Sequence, residues 1–354
     1  LQQMDRTTVM LLFGGESPEH KVSVASARNV YAAIDDSKYE VILGYIDQQG
    51  KWWLLDEIAD PIDTNGAAQL LPNLGDGGFT ADQQTLRPDV ILPILHGENG
   101  EDGSIQGLAQ LLHIPIVGCD VAASAIGMNK VLTKQLLTAQ HIQTVPYEVH
   151  HAYQPVPEFQ RLSMTLGCPI FVKPAHGGSS VGVSKAHNDD ELATALEGAH
   201  QYDDTVLLEQ AIAGRELEVA VLGRVPNHQV STVGEVLSEA DFYTYDDKYV
   251  NGTSQVAIPA DIPQAVMIRV QAMAGRVYEV LGCKGLARVD FFLADDDQLY
   301  LNEVNTLPGF TNISMYPKLW RHEGIGYSEL IDRLITDALN RDTIEAEQTE
   351  EIWN

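Results

Sequence analysis

The chain has 354 residues and a mass of 38.8 kDa, with 44% hydrophobic and 20% charged residues, a globular composition sufficient for two or three domains and opposed to long disorder. A formal net charge of -28 excludes a general nucleic-acid or anionic-membrane binder, because either needs basic surface to meet phosphate. Cys119, Cys168 and Cys283 are far apart in sequence and lack metal-ligand spacing, which predicts buried thiols in a reducing cytoplasm, none of them catalytic.

The opening LQQMDRTT has no basic start ahead of a long apolar run, and VMLLF (9–13) is too short for a signal or a membrane span, so a cytosolic protein is expected. VMLLF, a helix from about Pro18, VILGYI (41–46), DVILPIL (89–95) and IQGLAQLL (105–112) alternate in the rhythm of a parallel sheet wrapped by helices. Ligands of such sheets sit beyond the carboxyl ends of the strands, which selects the loops GGESPEH and HGENGEDG. In the first of these, Ser17 is a plausible N-cap and Val24, Ala27, Tyr31 and Ile34 mark the buried stripe of the helix. Glu19 is explained by the helix dipole alone, or by a substrate ammonium.

From Met128 the pattern becomes helix NKVLTKQLLTAQ, strand IFVK (170–173), the loop PAHGGSSVG, helix DDELATALEGAH and strand TVLLEQ, a small α+β unit. Lys173 precedes the glycines of its loop, so the spacing is not a Walker loop; the segment is either a plain turn or a clamp whose N–H groups wrap anionic oxygens. A third block holds strands ELEVAVLG and QVSTVGEVL, a polar aromatic loop EADFYTYDDKYVNGTSQ, a helix over 264–281 and the stretch ARVDFFLADDDQLYLNEVN (287–305).

That last stretch reads as a hairpin with residues 295–298 as its loop, which sets Ala294 against Leu299, Phe292 against Leu301, Asp290 against Glu303 and Arg288 against Asn305. Like charges directly across a strand pair are destabilising. A hard dication held by the two carboxylates and the amide would remove the repulsion; the alternative is a different loop length with both carboxylates in water.

GGxSxE, HGxxGEDG, KPxxxGSSVG, KY in an aromatic loop, ARVDF and ExNTxPG, in this order, resemble the D-alanine:D-alanine ligase family of the ATP-grasp superfamily over essentially the whole chain. The resemblance implies an α/β and α+β fold of ATP-grasp architecture with an N-terminal parallel-sheet domain (1–128), a central subdomain (129–209) and a C-terminal subdomain (210–354) with a lid loop over 239–256. It implies two Mg2+ ions on Asp290, Glu303 and Asn305, and ATP contacts from Lys130, Lys173, Ser180, Glu209, Gln210, Ile212 and Glu216. It further implies that Glu19, in a triad with Ser179 and Tyr249, receives the first D-alanine, while Arg288 and the Gly309 N–H stabilise the oxyanion. His96, Lys248, Ser314 and Met315 fall at substrate-binding positions. Lys21 and Asn302 depart from the usual residue at their positions. The implied activity joins two D-alanines through an acyl phosphate for peptidoglycan precursors in a homodimeric cytoplasmic enzyme, with D-lactate or D-serine as alternative acceptors. A module whose ATP only controls a partner is the reading from another class.

Overall fold

VMLLF lies inside β1 (Thr7–Gly14), which runs parallel to β2 (Tyr39–Ile46) on one side and β8 (Val90–Ile94) on the other. Strands covered on both faces need continuous apolar residues, and Val9, Met10, Leu11, Leu12 and Phe13 are all at most 1% exposed. The computed structural model describes residues 6–178, 180–237 and 255–353. Antiparallel β3 (Trp52–Leu55) and β4 (Ala68–Gln69) continue the sheet beyond β2, so it is parallel only at its centre. A separate three-stranded sheet of β5 (Leu71–Asn73), β6 (Gly78–Ala81) and β7 (Gln84–Leu86) has strands too short to leave a period in the sequence.

Helix α1 (His20–Ala33) starts two residues after Pro18; the Ser17 hydroxyl accepts the Glu19 N–H at 3.2 Å, a capping bond ahead of the helix, and donates to His96 O at 2.6 Å. The buried face of α1 runs through Ser23, Val24, Ala27 and Val30, whereas Tyr31, expected inside, is 41% exposed. Ser23 is buried because its hydroxyl serves two backbone groups, the Gly14 N–H at 2.8 Å and Ile94 O. A hydrophobic-periodicity argument cannot see such a residue. Helices α2 (Ser104–Leu111) and α3 (Val121–Met128) complete this unit.

Asn129 accepts the N–H groups of Val131 and Leu132 and so starts α4 (Lys130–Ala139). Beyond it, β9 (Tyr147–His151), α5 (Phe159–Leu166), β10 (Ile170–Pro174), β11 (Ser184–Ala186), α6 (Asp189–Ala199) and β12 (Thr205–Gln210) build an antiparallel sheet in the order β11-β10-β12-β9 with its own core of Leu162, Ile170, Val172, Leu192 and Leu208.

The third unit is a sheet in the order β15-β14-β13-β16-β17, from β13 (Gly214–Gly223), β14 (Gln229–Leu237), β15 (Gln255–Ala257), β16 (Gly285–Ala294) and β17 (Leu299–Asn305). Helix α7 (Gln264–Val280) packs Val270, Ala274 and Val277 on the face that Val219, Val289 and Phe291 present. Helices α8 (Met315–His322) and α9 (Tyr327–Trp353) turn back to the N-terminal sheet, so one core holds Phe13 and Leu92 together with Trp320, Leu334 and Ile335. Each such large side chain contributes about 1.5–3 kcal/mol on burial, which ties the first and third units into one body.

Cys119 and Cys283 are buried as expected, but they are not apart in space: the Cys119 sulfur accepts the Lys284 N–H at 3.4 Å, and the Cys283 thiol is raised by a hydrogen bond with Cys119 and by burial. Cys168, expected inside, is exposed. Among the described residues no helix is long and apolar enough to cross a membrane.

Candidate active site

The β16–β17 hairpin pairs Asp290 with Glu303 and Arg288 with Asn305, as expected, but by another route. The Ala294 N–H bonds Gln298 O at 2.9 Å, so the loop is residues 295–297, with Asp297 left-handed at φ 63°. Leu299 therefore faces Leu293, and Leu301 faces Phe291, in place of the expected Ala294 and Phe292. A bulge then restores the register, with Asn302 as the extra residue between the pairs Phe291/Leu301 and Asp290/Glu303. Its consequence is a change of face. Leu299 and Leu301 point into the α7 core together with Val304, while Glu303 turns to the opposite face beside Asp290.

The acidic pair is relieved within the chain. Arg288 donates from Nε and Nη2 to the two oxygens of Asp290 at 2.8 and 2.7 Å, and Asn305 Nδ2 donates to Asp290 at 3.0 Å. Glu218, which pairs with Asp290 on the other flank, holds Arg288 Nε at 3.1 Å. Repulsion alone thus does not demand a metal. The donor set nevertheless fits a hard cation: two carboxylates and an amide whose oxygen is available on rotation. Among the described residues no three His, Cys, Asp or Glu side chains form a metal-holding group, so an ion here would need further ligands from elsewhere, which phosphate oxygens can supply.

Opposite this hairpin, a cavity of about 710 Å³ opens between the central and third sheets. Lys130, Lys173, Ser180, Glu209, Gln210, Ile212 and Glu216, the expected nucleotide residues, all line it, and so does Glu303. Its floor is built on Glu209, 2% exposed, which pairs with both Lys173 and Lys134, the latter at 2.8 Å. Burial by itself would raise the Glu209 pKa, but the two ammoniums overcome it and hold the group below its ordinary value. Lys134, buried to 1%, also donates to Val145 O at 3.0 Å. Lys130 reaches the glycine-rich loop, donating to Gly177 O at 2.6 Å; burial and the neighbouring Lys173 lower its pKa, while Glu303 raises it. Lys130, Lys134 and Lys173 thus stand around the one buried carboxylate of Glu209. In the same loop Ser180 adopts a left-handed conformation at φ 61°, which leaves its peptide aimed unlike that of a regular strand.

The N-terminal loops lie outside this lining but close enough to Glu303 for its charge to act on Glu101. Glu19 is 7% exposed and makes no side-chain cap bond to α1, so capping does not account for it. Its carboxylate lies against two glycines: a Cβ at Gly97 would stand 2.9 Å, and one at Gly178 3.0 Å, from Glu19 Oε2. His96 is buried; its Nδ1–H donates to Leu307 O at 3.0 Å, and burial lowers its pKa, so the ring is neutral with Nε2 toward Ser26 at 3.5 Å. Gly309 follows in the loop before α8. Ser314 occupies the N-cap position of α8, its hydroxyl bonded to Thr311 at 2.7 Å, where backbone N–H groups and the dipole favour an anion. Met315, expected at a substrate, buries its side chain against Gly234 and leaves only its backbone at the helix start. Ser179, Lys248 and Tyr249 lie outside the described residues, as do residues 239–254 of the lid expected over 239–256, whose last two belong to β15.

Three residues were not anticipated from sequence: Lys134, Glu218 and Glu101. Glu101 belongs to the HGENGEDG loop, and desolvation, with Glu19 and Glu303 nearby, pushes its pKa up to about 8. Only the motif itself, in which Glu101 follows His96, could have drawn attention to it.

Residues 8–119 match the family described as D-ala D-ala ligase N-terminus, and residues 136–336 the one described as D-ala D-ala ligase C-terminus. The chain is 43% identical over 355 aligned positions to the D-alanine--D-alanine ligase of Geobacillus kaustophilus, covering 95% of each. Its fold is similar to the D-alanine-D-alanine ligase from Coxiella burnetii, with a TM-score of 0.89 and 32% identity over 98% of this chain and 97% of that one. It is similar also to a D-Ala:D-Ser ligase from Enterococcus faecalis, with a TM-score of 0.86 and 32% identity over 94% and 99%. The lysine-lined cavity, the Asp290–Glu303 pair and the match of both halves lead to one conclusion: the chain belongs to the D-alanine–D-alanine ligase family, with an ATP-grasp fold.

Proposed function

We propose that the chain joins two D-alanines into D-alanyl-D-alanine, converting one ATP to ADP and phosphate per dipeptide, for peptidoglycan precursor synthesis. The observation that supports this best is a single cavity with Lys130 and Lys173 in its lining and, from the hairpin, Glu303, which is paired with Asp290; this suits a nucleotide triphosphate met by lysines and by a carboxylate that can hold its metal. Two Mg2+ ions held by Asp290, Glu303 and Asn305 would neutralise phosphate charge during transfer.

In this reading Lys130 and Lys173 fix the phosphates, and Gln210, Ile212 and Glu216 hold the base and ribose. Glu19 receives the ammonium of the first D-alanine, and that substrate's carboxylate takes the γ-phosphoryl group to give an acyl phosphate. The second D-alanine, its carboxylate at Ser314 on the N-terminus of α8, attacks through its amine. Arg288 and the Gly309 N–H meet the oxyanion charge, fixed donors of this kind being worth a few kcal/mol. Phosphate then leaves. The neutral His96 borders the substrates as a hydrogen-bonding group. Ser179, Lys248 and Tyr249 complete the substrate side with the lid, which keeps water from the acyl phosphate. Domains divide at 128/129 and 209/210, and the enzyme works as a cytoplasmic homodimer.

The test is phosphate release with Mg-ATP against a panel of D-alanine, D-serine and D-lactate. D-alanine should give the highest rate, with one ADP formed per dipeptide. A higher rate with D-serine or D-lactate would move the assignment to the alternative acceptor. ATP binding with no phosphate release under any D-substrate would make the chain a nucleotide-binding module.

A further inference from the structure

The peptide of Leu307 is gripped on both sides from the N-terminal unit. Its carbonyl accepts from His96 Nδ1 at 3.0 Å, and its N–H is donated to Glu101 Oε1 at 3.3 Å. The other oxygen of Glu101 accepts the Gly97 N–H at 2.7 Å, while the Glu101 N–H returns to Gly97 O at 2.9 Å. Residues 97–101 are therefore a closed loop that presents one carboxyl oxygen outward. His96 itself is braced from behind, its carbonyl accepting from Ser17 Oγ at 2.6 Å. Leu307 stands two residues after Asn305 and two before Gly309, and its side chain is 5% exposed.

We propose that Glu101 is a positioning residue for the ligation, holding the segment 305–309 of the third unit in register with the loop that carries His96 and, through Ser17, with Glu19. The inference rests on the function proposed above, because it is the metal ligand Asn305 and the oxyanion donor Gly309 that the clamp aligns with the substrate. A bond between residues 206 apart in sequence joins the unit that would hold the first D-alanine to the unit that would polarise it. Neither β17 nor α8 can do this, since β17 ends at Asn305 and α8 begins only at Met315. Glu101 does not line the nucleotide cavity, so its loss should act on the chemical step and spare ATP binding.

The experiment compares the parent with Glu101→Gln and Glu101→Ala as full chains. It measures steady-state kinetics, Mg-ATP affinity by calorimetry, thermal unfolding, and hydrogen exchange at Leu307 with 15N-leucine labelling. Misplacement by about 1 Å can cost a hundredfold in rate, so kcat should fall about tenfold in Glu101→Gln, which keeps one acceptor, and about a hundredfold in Glu101→Ala. ATP affinity and KM for ATP should stay within about twofold of the parent, and Leu307 exchange should speed up by about tenfold or more in Glu101→Ala as its N–H loses its acceptor. A parent-like kcat in Glu101→Ala overturns the proposal, as does a kcat loss matched by equal losses of ATP affinity and melting temperature. If the parent itself turns over no D-alanine, the proposed function fails, and unchanged Leu307 exchange in Glu101→Ala would sink the clamp separately.

Discussion

At the scale of single residues, the site is governed by how few charges are left to water. Lys134 shows it best. In NKVLTKQLLTAQ nothing but the family resemblance, which selects Lys130, separates the two lysines, yet Lys134 is 1% exposed and joined to Glu209. Lys134→Met should destabilise the chain by on the order of 3 kcal/mol in denaturant unfolding, because Glu209 loses one of two partners and Val145 O its donor. A loss below about 1 kcal/mol would mean that Lys173 satisfies Glu209 alone. Glu101 makes the opposite kind of claim. Its pKa is raised from 4.5 to about 8 in the fold, so between those values the folded chain binds the extra proton and the unfolded chain does not. Its contribution is therefore fully present below 4.5 and lost as pH rises through about 8. Stability of the metal-free parent should fall with pH across this window relative to Glu101→Gln, whose neutral amide removes the dependence. Parallel curves for the two proteins would show that neither burial nor the charges of Glu19 and Glu303 raise Glu101.

At the scale of elements, the β16–β17 hairpin shows what was legible in sequence and what was not. Alternation along ARVDF put Arg288 and Asp290 on one face, and the motif ExN put Glu303 and Asn305 opposite them; both hold. The loop was assigned one residue too long, and the missing residue reappears as the bulge at Asn302. These two deviations cancel in the register but not in the packing, since a regular strand would place Glu303 on the same face as Leu301. A bulge has no sequence period, which is why it escaped. Deleting Asn302 removes the bulge itself, so Glu303 would directly follow Leu301, still opposite Asp290 and away from the α7 core; the deletion variant should therefore fold and keep turnover, as should Asn302→Ala, which keeps the extra residue. Loss of turnover in a folded deletion variant, assayed by phosphate release, would show that the extra residue does more than bring Glu303 to the Asp290 face. Helix α1 gives a parallel lesson, its buried Ser23 and Ser26 being explained by partners, Ile94 O and His96, more than 60 residues away.

At the scale of the molecule, the alternating first third and the mixed later blocks were enough to anticipate a parallel sheet followed by α+β structure, but not the antiparallel β3 and β4 that leave the first sheet parallel only at its centre. The return of α8 and α9 to the first sheet was not, because it depends on which distant surfaces share one core. That return allows Leu307 to meet His96 and Glu101, so the reacting segment of the third unit rests on the first. The central unit has a core of its own and brings the lysines of the cavity. The central claim is that these lysines and the Asp290–Glu303 pair act together on one nucleotide. Its most direct test is the yield of ADP and D-alanyl-D-alanine from Mg-ATP and D-alanine, in the parent and in Glu303→Gln, with folding checked by thermal unfolding. The account predicts one ADP per dipeptide in the parent and a folded Glu303→Gln with no turnover above background. Near-parent dipeptide synthesis by a well-folded Glu303→Gln would contradict it.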